Sequence, residues 1–347
     1  MSASPEIMKE YYSRLTPENM APLWEVLHTL VTREPVTKAG PFQWKFDDVR
    51  RLLLEAGGLL TADEAERRVL ILENPAYAGQ SKATNTLFAG VQLIMPGETA
   101  PAHRHTASAV RFFLEGKGAI TAVGGEPTEM NPGDFVITPS WAWHDHRNDG
   151  DEPCFWLDGL DLPMMNFYEA GFAEPHNDSR QMLSRPEHDS TARFGEGLLP
   201  MQAESPYGLT TPIFNYTFKR TRAALVTAAA GQEMDSHTAM TLRYANPLDG
   251  GWTMPTMSAW MMYVPKGFTT QPMRSTDSMI VAVAEGSGSM KLGDESFDFV
   301  HKDTHAVPGW YWRSFTAKED SFIFFVTDRV AQEKLGFYRE EKSPIVA

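Results

Sequence analysis

A chain of 347 residues is long for one domain and natural for two. Its 45 acidic residues outnumber 31 basic ones, and the formal charge of -14 excludes a sequence-independent grip on nucleic-acid phosphate; an anionic ligand would need a local positive centre. The single cysteine, Cys154, excludes intrachain disulfides and multi-cysteine zinc sites, and no apolar run approaches the ~18 residues needed to span a bilayer, so the expectation is a cytoplasmic protein with neither membrane nor nucleic-acid partners.

Apolar periodicity predicts a helix through Ile7, Met8, Tyr11, Tyr12 and Leu15, and another through Leu23, Trp24, Leu27, Leu30 and Val31. A third is expected through Trp44, Val49 and 52–54, stopped by Gly57 and Gly58, and Thr61 with Glu64 reads as a capping box. Residues 1–66 therefore form an N-terminal helical segment. Short apolar runs bounded by Gly and Pro follow at 68–72, 87–94, 109–114, 119–123, 135–138 and 155–160, the spacing of an antiparallel barrel or sandwich, here placed at 67–173. Residues 174–230 read as a connecting segment, polar and draped over the surface to about Tyr207, then helical over 219–230. Strand-like runs resume at 258–264, 278–284, 289–292 and 321–326, so 231–347 is again mostly β.

The two halves carry an internal repeat. Gly97, His103, His105 and Glu115-Gly116-Lys117-Gly118 are matched at identical spacing by Gly267, Met273, Ser275 and Glu285-Gly286-Ser287-Gly288. Asp134, Pro139, Trp141, Trp143 and His144 are matched by Asp303, Pro308, Trp310, Trp312 and Arg313. The scaffold residues recur while all three histidines are replaced in the second copy. The recurrence of the tryptophans favours core packing, and the methionines over 254–262 read as adaptable packing.

On an extended strand His103 and His105 face the same way, close enough to share a metal ion, and His144 with His146 repeats the arrangement. The motif Gly97-x5-His103-x-His105 with Gly133-x5-Pro139-x4-His144 resembles the two signature motifs of the cupin superfamily, whose histidines coordinate a divalent metal inside a small jelly-roll barrel. The resemblance implies the ligand set His103, His105 and His144. Most cupins add a Glu after the second His; Val110, flanked by Ala109 and Arg111, stands there. Three neutral imidazoles leave the metal's charge uncompensated, which favours a substrate that brings its own negative charge, preferably a bidentate chelator, with a position left for dioxygen.

The stretches TAPAHRHTASAVRFFLEGKGAITAVGGE, GDFVITPSWAWHDHRN and FWLDGLDLP, with APLWEVLH, ERRVLILENP, LFAGVQLIMPGE and TLRYANPLDGGWTMPT, resemble the gentisate 1,2-dioxygenase family over most of the chain. That resemblance implies a mainly β bicupin: two jelly-roll β-barrel domains plus N-terminal and linker helices, with one Fe(II) per subunit in barrel 1; Met273, Ser275 and Arg313 in the ligand positions of barrel 2 predict no metal there. It implies a homotetramer that converts gentisate and O2 to maleylpyruvate. Gln92, Arg111 and His146 correspond to its substrate-contacting positions, with Arg67 and Asp158 as supporting groups.

His146 fits proton transfer to or from the substrate, or orientation of a metal ligand; Arg111 fits a clamp on the substrate carboxylate, stabilisation of developing charge, or a simple pair with Asp158. Phe88 fits a pocket wall or an ordinary core aromatic. The remaining histidines, His28, His176, His188, His237, His301 and His305, lack ligand spacing and read as surface or loop residues. Three other functions share these features: a related dioxygenase for salicylate, substituted salicylates or 1-hydroxy-2-naphthoate; a Zn(II) isomerase or hydrolase; and a non-catalytic bicupin.

Overall fold

The computed structural model of the chain describes residues 4–344; the outermost residues of the 1–66 and 231–347 stretches lie outside that range. Two compact units divide at Val36. The first is a helical hairpin, Pro5–Leu15 and Leu23–Leu30, in which Trp24 Nε1 donates to Tyr12 Oη (2.9 Å) and Tyr12 donates to Glu25 (2.5 Å).

The second unit contains two double-sheet barrels. In the first, a six-stranded sheet runs in the order Asn215–Tyr216, Phe135–Thr138, Ala109–Glu115, Cys154–Leu160, Phe88–Ile94, Arg68–Ile71. Facing it are Ala173–Pro175, Thr99–His105, His144–Asn148, Ala119–Val123 and Glu126–Glu129. The second barrel repeats this with Phe42–Trp44, Thr304–Val307, Met279–Glu285, Ser321–Thr327, Ser258–Val264 and Met240–Arg243 in one sheet. Its other sheet holds Glu295–Val300, Ser287–Leu292, Arg313–Ala317, Met273–Ser275 and Glu340–Lys342. All pairings are antiparallel, which the regular alternation of short strands and turns requires.

One core joins the barrels. Val91, Leu93, Val110, Phe112 and Leu157 of the first six-stranded sheet pack with Met261, Ile280, Ala282, Phe322 and Phe324 of the second. Phe112 stacks on Phe324 with centroids 4.4 Å apart and planes 8° from parallel. Strands in these sheets are buried on both faces, so they read as apolar runs rather than as alternation. Residues of the opposite parity, including Gln92, Arg111 and Asp158, point into the first barrel.

Several local expectations are corrected. Trp44 lies in strand Phe42–Trp44, and the helix that follows, Phe46–Leu59, runs through Gly57 and Gly58. Burial of Phe46, Val49 and Leu53 outweighs the poor helix propensity of glycine, and a Cβ on Gly57 would come within 3.3 Å of Leu93, so the small residue permits close approach to the sheet. The connecting segment is only partly superficial: Ala173–Pro175 extends the sheet of Thr99–His105, and Gln181, Asp189 and Ser190 are buried.

His237 and His305 are buried rather than superficial. His305 sits inside strand Thr304–Val307, where burial holds its pKa down at about 3. The tryptophans of the repeat are half-buried and clamp arginines. Arg104 lies 4.5 Å from the rings of both Trp141 and Trp143, and Arg274 lies 4.4 and 4.8 Å from those of Trp310 and Trp312. Trp141 and Trp310 both take a left-handed backbone conformation, φ 64° and 67°.

Candidate metal centre

Strands Thr99–His105 and His144–Asn148 pair antiparallel, and His103 lies opposite His144. A register shift between Ala100 and His103 bends the first strand and aims its last residues inward. One ligand atom from each of His103, His105 and His144 falls within 4.8 Å of the others, and the ring centroids are 4.1 to 5.1 Å apart.

The chemistry of these donors fits a metal. Nδ1 of His105 faces the Ala107 carbonyl at 2.7 Å and Nδ1 of His144 faces the Ala142 carbonyl at 3.0 Å, so each donates its proton to backbone and leaves Nε2 with a free lone pair. Burial holds the pKa of His103 at about 2 and of His105 at about 4, and holds His144 well below the ordinary value; neighbouring cationic side chains add to the effect. All three are therefore neutral near pH 7, as ligation demands. No carboxylate of the described residues joins the cluster.

The histidines line a cavity of about 310 Å³, and every residue singled out from the sequence lines it too: Gln92, Arg67, Arg111, His146 and Asp158, with Phe88 on the wall. Val69, Ile71 and Leu160 supply apolar surface. Arg111 is fully enclosed: Nη1 donates to Thr138 Oγ1, while Nε stands 3.4 Å from Asp158 in a charge contact without hydrogen-bond alignment.

Burial raises the pKa of Asp158 to about 6, against the opposing pull of Arg111, the Trp156 indole and Arg67. Burial and the neighbouring Arg111 lower that of Arg67 to about 10, and Arg67 donates to the Pro101 carbonyl (2.6 Å) while its Nη2 lies against His103 Nδ1. Two guanidiniums against one carboxylate leave the cavity positive within an acidic protein.

His146 is buried and neutral, its pKa held well down by burial and by Arg111. The Thr121 hydroxyl donates to Met130 Sδ (3.2 Å) and so accepts from His146 Nδ1 (2.9 Å). This network assigns the Nδ1–H tautomer and leaves Nε2 as the basic atom of a ring that lines the cavity.

The Arg104 clamp is the part of the site that the sequence reading missed. It lies between His103 and His105 on Thr99–His105 and pairs with Glu174 (2.6 Å), while Trp141 N donates to the His105 carbonyl (2.8 Å). The signal was present in the repeat, because Arg-x36-Trp-x-Trp occurs as Arg104, Trp141, Trp143 and, one residue shorter, as Arg274, Trp310, Trp312.

A cupin domain family model matches residues 90–160. The chain is 49% identical over 335 residues, 96% of each protein, to gentisate 1,2 dioxygenase 1 of Aquipseudomonas alcaligenes. It belongs to the gentisate 1,2-dioxygenase family. Another member of the family, gentisate 1,2-dioxygenase of a Ralstonia species, is 33% identical over 96% of this chain and 94% of its own. The crystal structure of salicylate 1,2-dioxygenase from Pseudoaminobacter salicylatoxidans as a gentisate adduct superposes with a TM-score of 0.92 at 32% identity, covering 99% of this chain and 96% of that one. The family's bicupin architecture thus extends over both barrels described above.

Proposed function

We propose that the chain is a ring-cleaving dioxygenase that converts gentisate and O2 to maleylpyruvate, with Fe(II) held by His103, His105 and His144 of the first barrel. The observation that carries the reading is an all-imidazole metal site set beside two guanidiniums in one cavity. Such a site lacks the protein carboxylate that would lower its charge, and it suits an aromatic substrate whose carboxylate and adjacent hydroxyl bring that charge with them. Ferrous iron bound there supplies the electronic coupling between an electron-rich ring and dioxygen that organic side chains lack.

The protein's own groups do the rest. Arg111, buried and fixed by Thr138, holds the substrate carboxylate; Arg67, which lines the same cavity, adds positive potential. Nε2 of His146 accepts a proton from a substrate hydroxyl and returns it later in turnover. Gln92 offers an amide to the ring substituents, and Phe88, Val69, Ile71 and Leu160 hold the ring face and exclude water. Asp158 stands 3.4 Å from Arg111 and offsets part of its charge.

Oxygen consumption by the purified protein with added Fe(II), on gentisate and on salicylate in parallel, tests the assignment. Rapid uptake with gentisate and loss of activity on chelation are expected. Turnover without oxygen would overturn the oxygenase reading, in favour of a Zn(II) isomerase or hydrolase. Turnover of salicylate but not gentisate would favour the second reading, a salicylate-type enzyme, which the likeness to salicylate 1,2-dioxygenase supports.

We place the protein in the cytoplasm as a homotetramer whose two barrel domains are built mainly on residues 67–173 and 231–347, the first completed by Asn215–Tyr216 and the second by Phe42–Trp44; among the described residues no helix is long and apolar enough to cross a membrane. Light scattering on the purified protein reads the oligomeric state.

A further inference from the structure

The second barrel keeps the scaffold of the first and changes the chemistry at its centre. Met273 lies opposite Arg313 on the two strands that correspond to those of His103 and His144. Ser275, in the place of His105, donates to Asp277. Where the first barrel presents a metal ligand, this one presents a guanidinium. Arg313 is 7% exposed, and its side chain makes no hydrogen bond or ion pair among the described residues; Asp277 and Glu340 act on it through the field alone.

Arg313 opens on a cavity of about 310 Å³, the same volume as the first barrel's cavity. One wall is aromatic: Trp260 stacks on Phe325 (5.3 Å, 17°), Phe315 meets Phe325 edge-on at 5.7 Å, and Trp252 lies 6.0 Å from Trp260. Two more cations line it, Arg243 and Arg329, 5.3 and 5.8 Å from the Trp252 ring. The carboxylate on the wall, Glu340, is already engaged by the Tyr338 hydroxyl (2.6 Å) and by Arg329 (3.8 Å). An enclosed guanidinium that carboxylates reach only at a distance, with no hydrogen-bond partner among the described residues, keeps donors for an anion to engage, and an aromatic wall of this size is a binding surface for a flat ring.

We propose that the second barrel is a non-catalytic binding site for a small aromatic monocarboxylate, its carboxylate on Arg313 and its ring against Trp252 and Trp260. The copy that lost its metal ligands has exchanged a cation site for an anion site at the same place in the fold. The carboxylate engages guanidinium donors that no side chain of the described residues hydrogen-bonds, and the ring replaces water on an apolar wall.

Benzoate is a suitable probe because it lacks the ortho-hydroxyl needed for chelation in the first barrel. Titration of the iron-loaded protein, followed by tryptophan fluorescence and calorimetry, is expected to show a component that Arg313→Met weakens at least about tenfold. Thr241→Phe, which fills the cavity from strand Met240–Arg243, is expected to abolish the same component, whereas Arg111→Met leaves it in place. Neutral benzamide binds at least about tenfold more weakly than benzoate if the guanidinium is the anchor. Turnover of gentisate by Arg313→Met and Thr241→Phe reports their folding; should either fail to fold, the other decides. The proposal is overturned if both variants titrate like the wild type, if benzamide matches benzoate, or if no Arg313-dependent component appears up to about 10 mM benzoate.

Discussion

The paired arginine clamps allow a mutation to be tested against its own internal control. Arg104 sits between two tryptophan rings at 4.5 Å each and bonds Glu174 on the adjoining edge strand; Arg274 has the same arrangement with Trp310, Trp312 and Glu341. In each barrel the clamp also holds a tryptophan in a left-handed backbone conformation, and the backbone N–H of that tryptophan donates to the carbonyl of His105 or Ser275. Two half-exposed cation–π contacts contribute about 0.5–1 kcal/mol each, and a partly exposed carboxylate pair about 0.5 kcal/mol, so Arg104→Ala and Arg274→Ala should each cost about 2 kcal/mol. Thermal denaturation should register this as a fall in Tm of about 3–6 °C for both variants. Only Arg104 lies between proposed metal ligands, His103 and His105, so only Arg104→Ala should weaken metal binding, by about tenfold in a competition titration with a chromogenic chelator. Equal loss of metal affinity in both variants, or unchanged stability in both, would refute the assignment of the clamp as the brace of the ligand strand.

Three further outcomes are expected. His146→Gln should keep its metal and lower kcat by about 100-fold or more, because Nε2 would no longer be a base; metal analysis beside steady-state kinetics checks this, and full turnover would leave His146 only an orienting role. Asp158, with its pKa raised to about 6, is protonated below that pH and stops balancing Arg111, so KM for an anionic substrate should fall by up to about tenfold as pH drops from 7 to 5, and Asp158→Asn should flatten the profile. The same raised pKa makes the carboxyl's contribution to stability largest below the unfolded value and lost as pH rises through about 6. Phe112→Ala removes the ring stacked on Phe324 in the shared core and should cost about 3–5 kcal/mol in denaturant unfolding, while a loss below about 1 kcal/mol would contradict the packing of one barrel on the other.

Much of this architecture was legible in the sequence, for identifiable reasons. The runs at 109–114, 119–123, 135–138 and 258–264 are strands because β-branched and aromatic residues lie between Gly and Pro punctuation, and such punctuation is local. The cluster of three histidines was legible because alternation on a strand brings His103 and His105 to one face, and the pairing of two strands adds His144. What escaped depends on partners distant in sequence. Phe42–Trp44 is a strand because Thr304–Val307 offers it an edge, and Asn215–Tyr216 because Phe135–Thr138 does. Helix Phe46–Leu59 survives two glycines because three of its side chains reach the shared core. His305 is buried by its strand's place in the sheet, which a search for ligand spacing does not detect.

Register explains why the chemistry belongs to one barrel. Arg111 lies opposite Asp158 in the first six-stranded sheet; in the second the corresponding pair is Val281 opposite Phe325. Met262 takes the place of Gln92 and Phe315 that of His146, two residues beyond Arg313 as His146 lies two beyond His144. Four polar groups that face the first cavity are thus four apolar ones in the second, and they join its interior core cluster. The substitutions change the parity face directed into the barrel and leave intact the face directed at the shared core, where Phe112 meets Phe324. A chain with a net charge of -14 therefore offers an anion two enclosed positive centres, one built on Arg67, Arg111 and a metal site and the other on Arg313, without disturbing the packing that holds the barrels together.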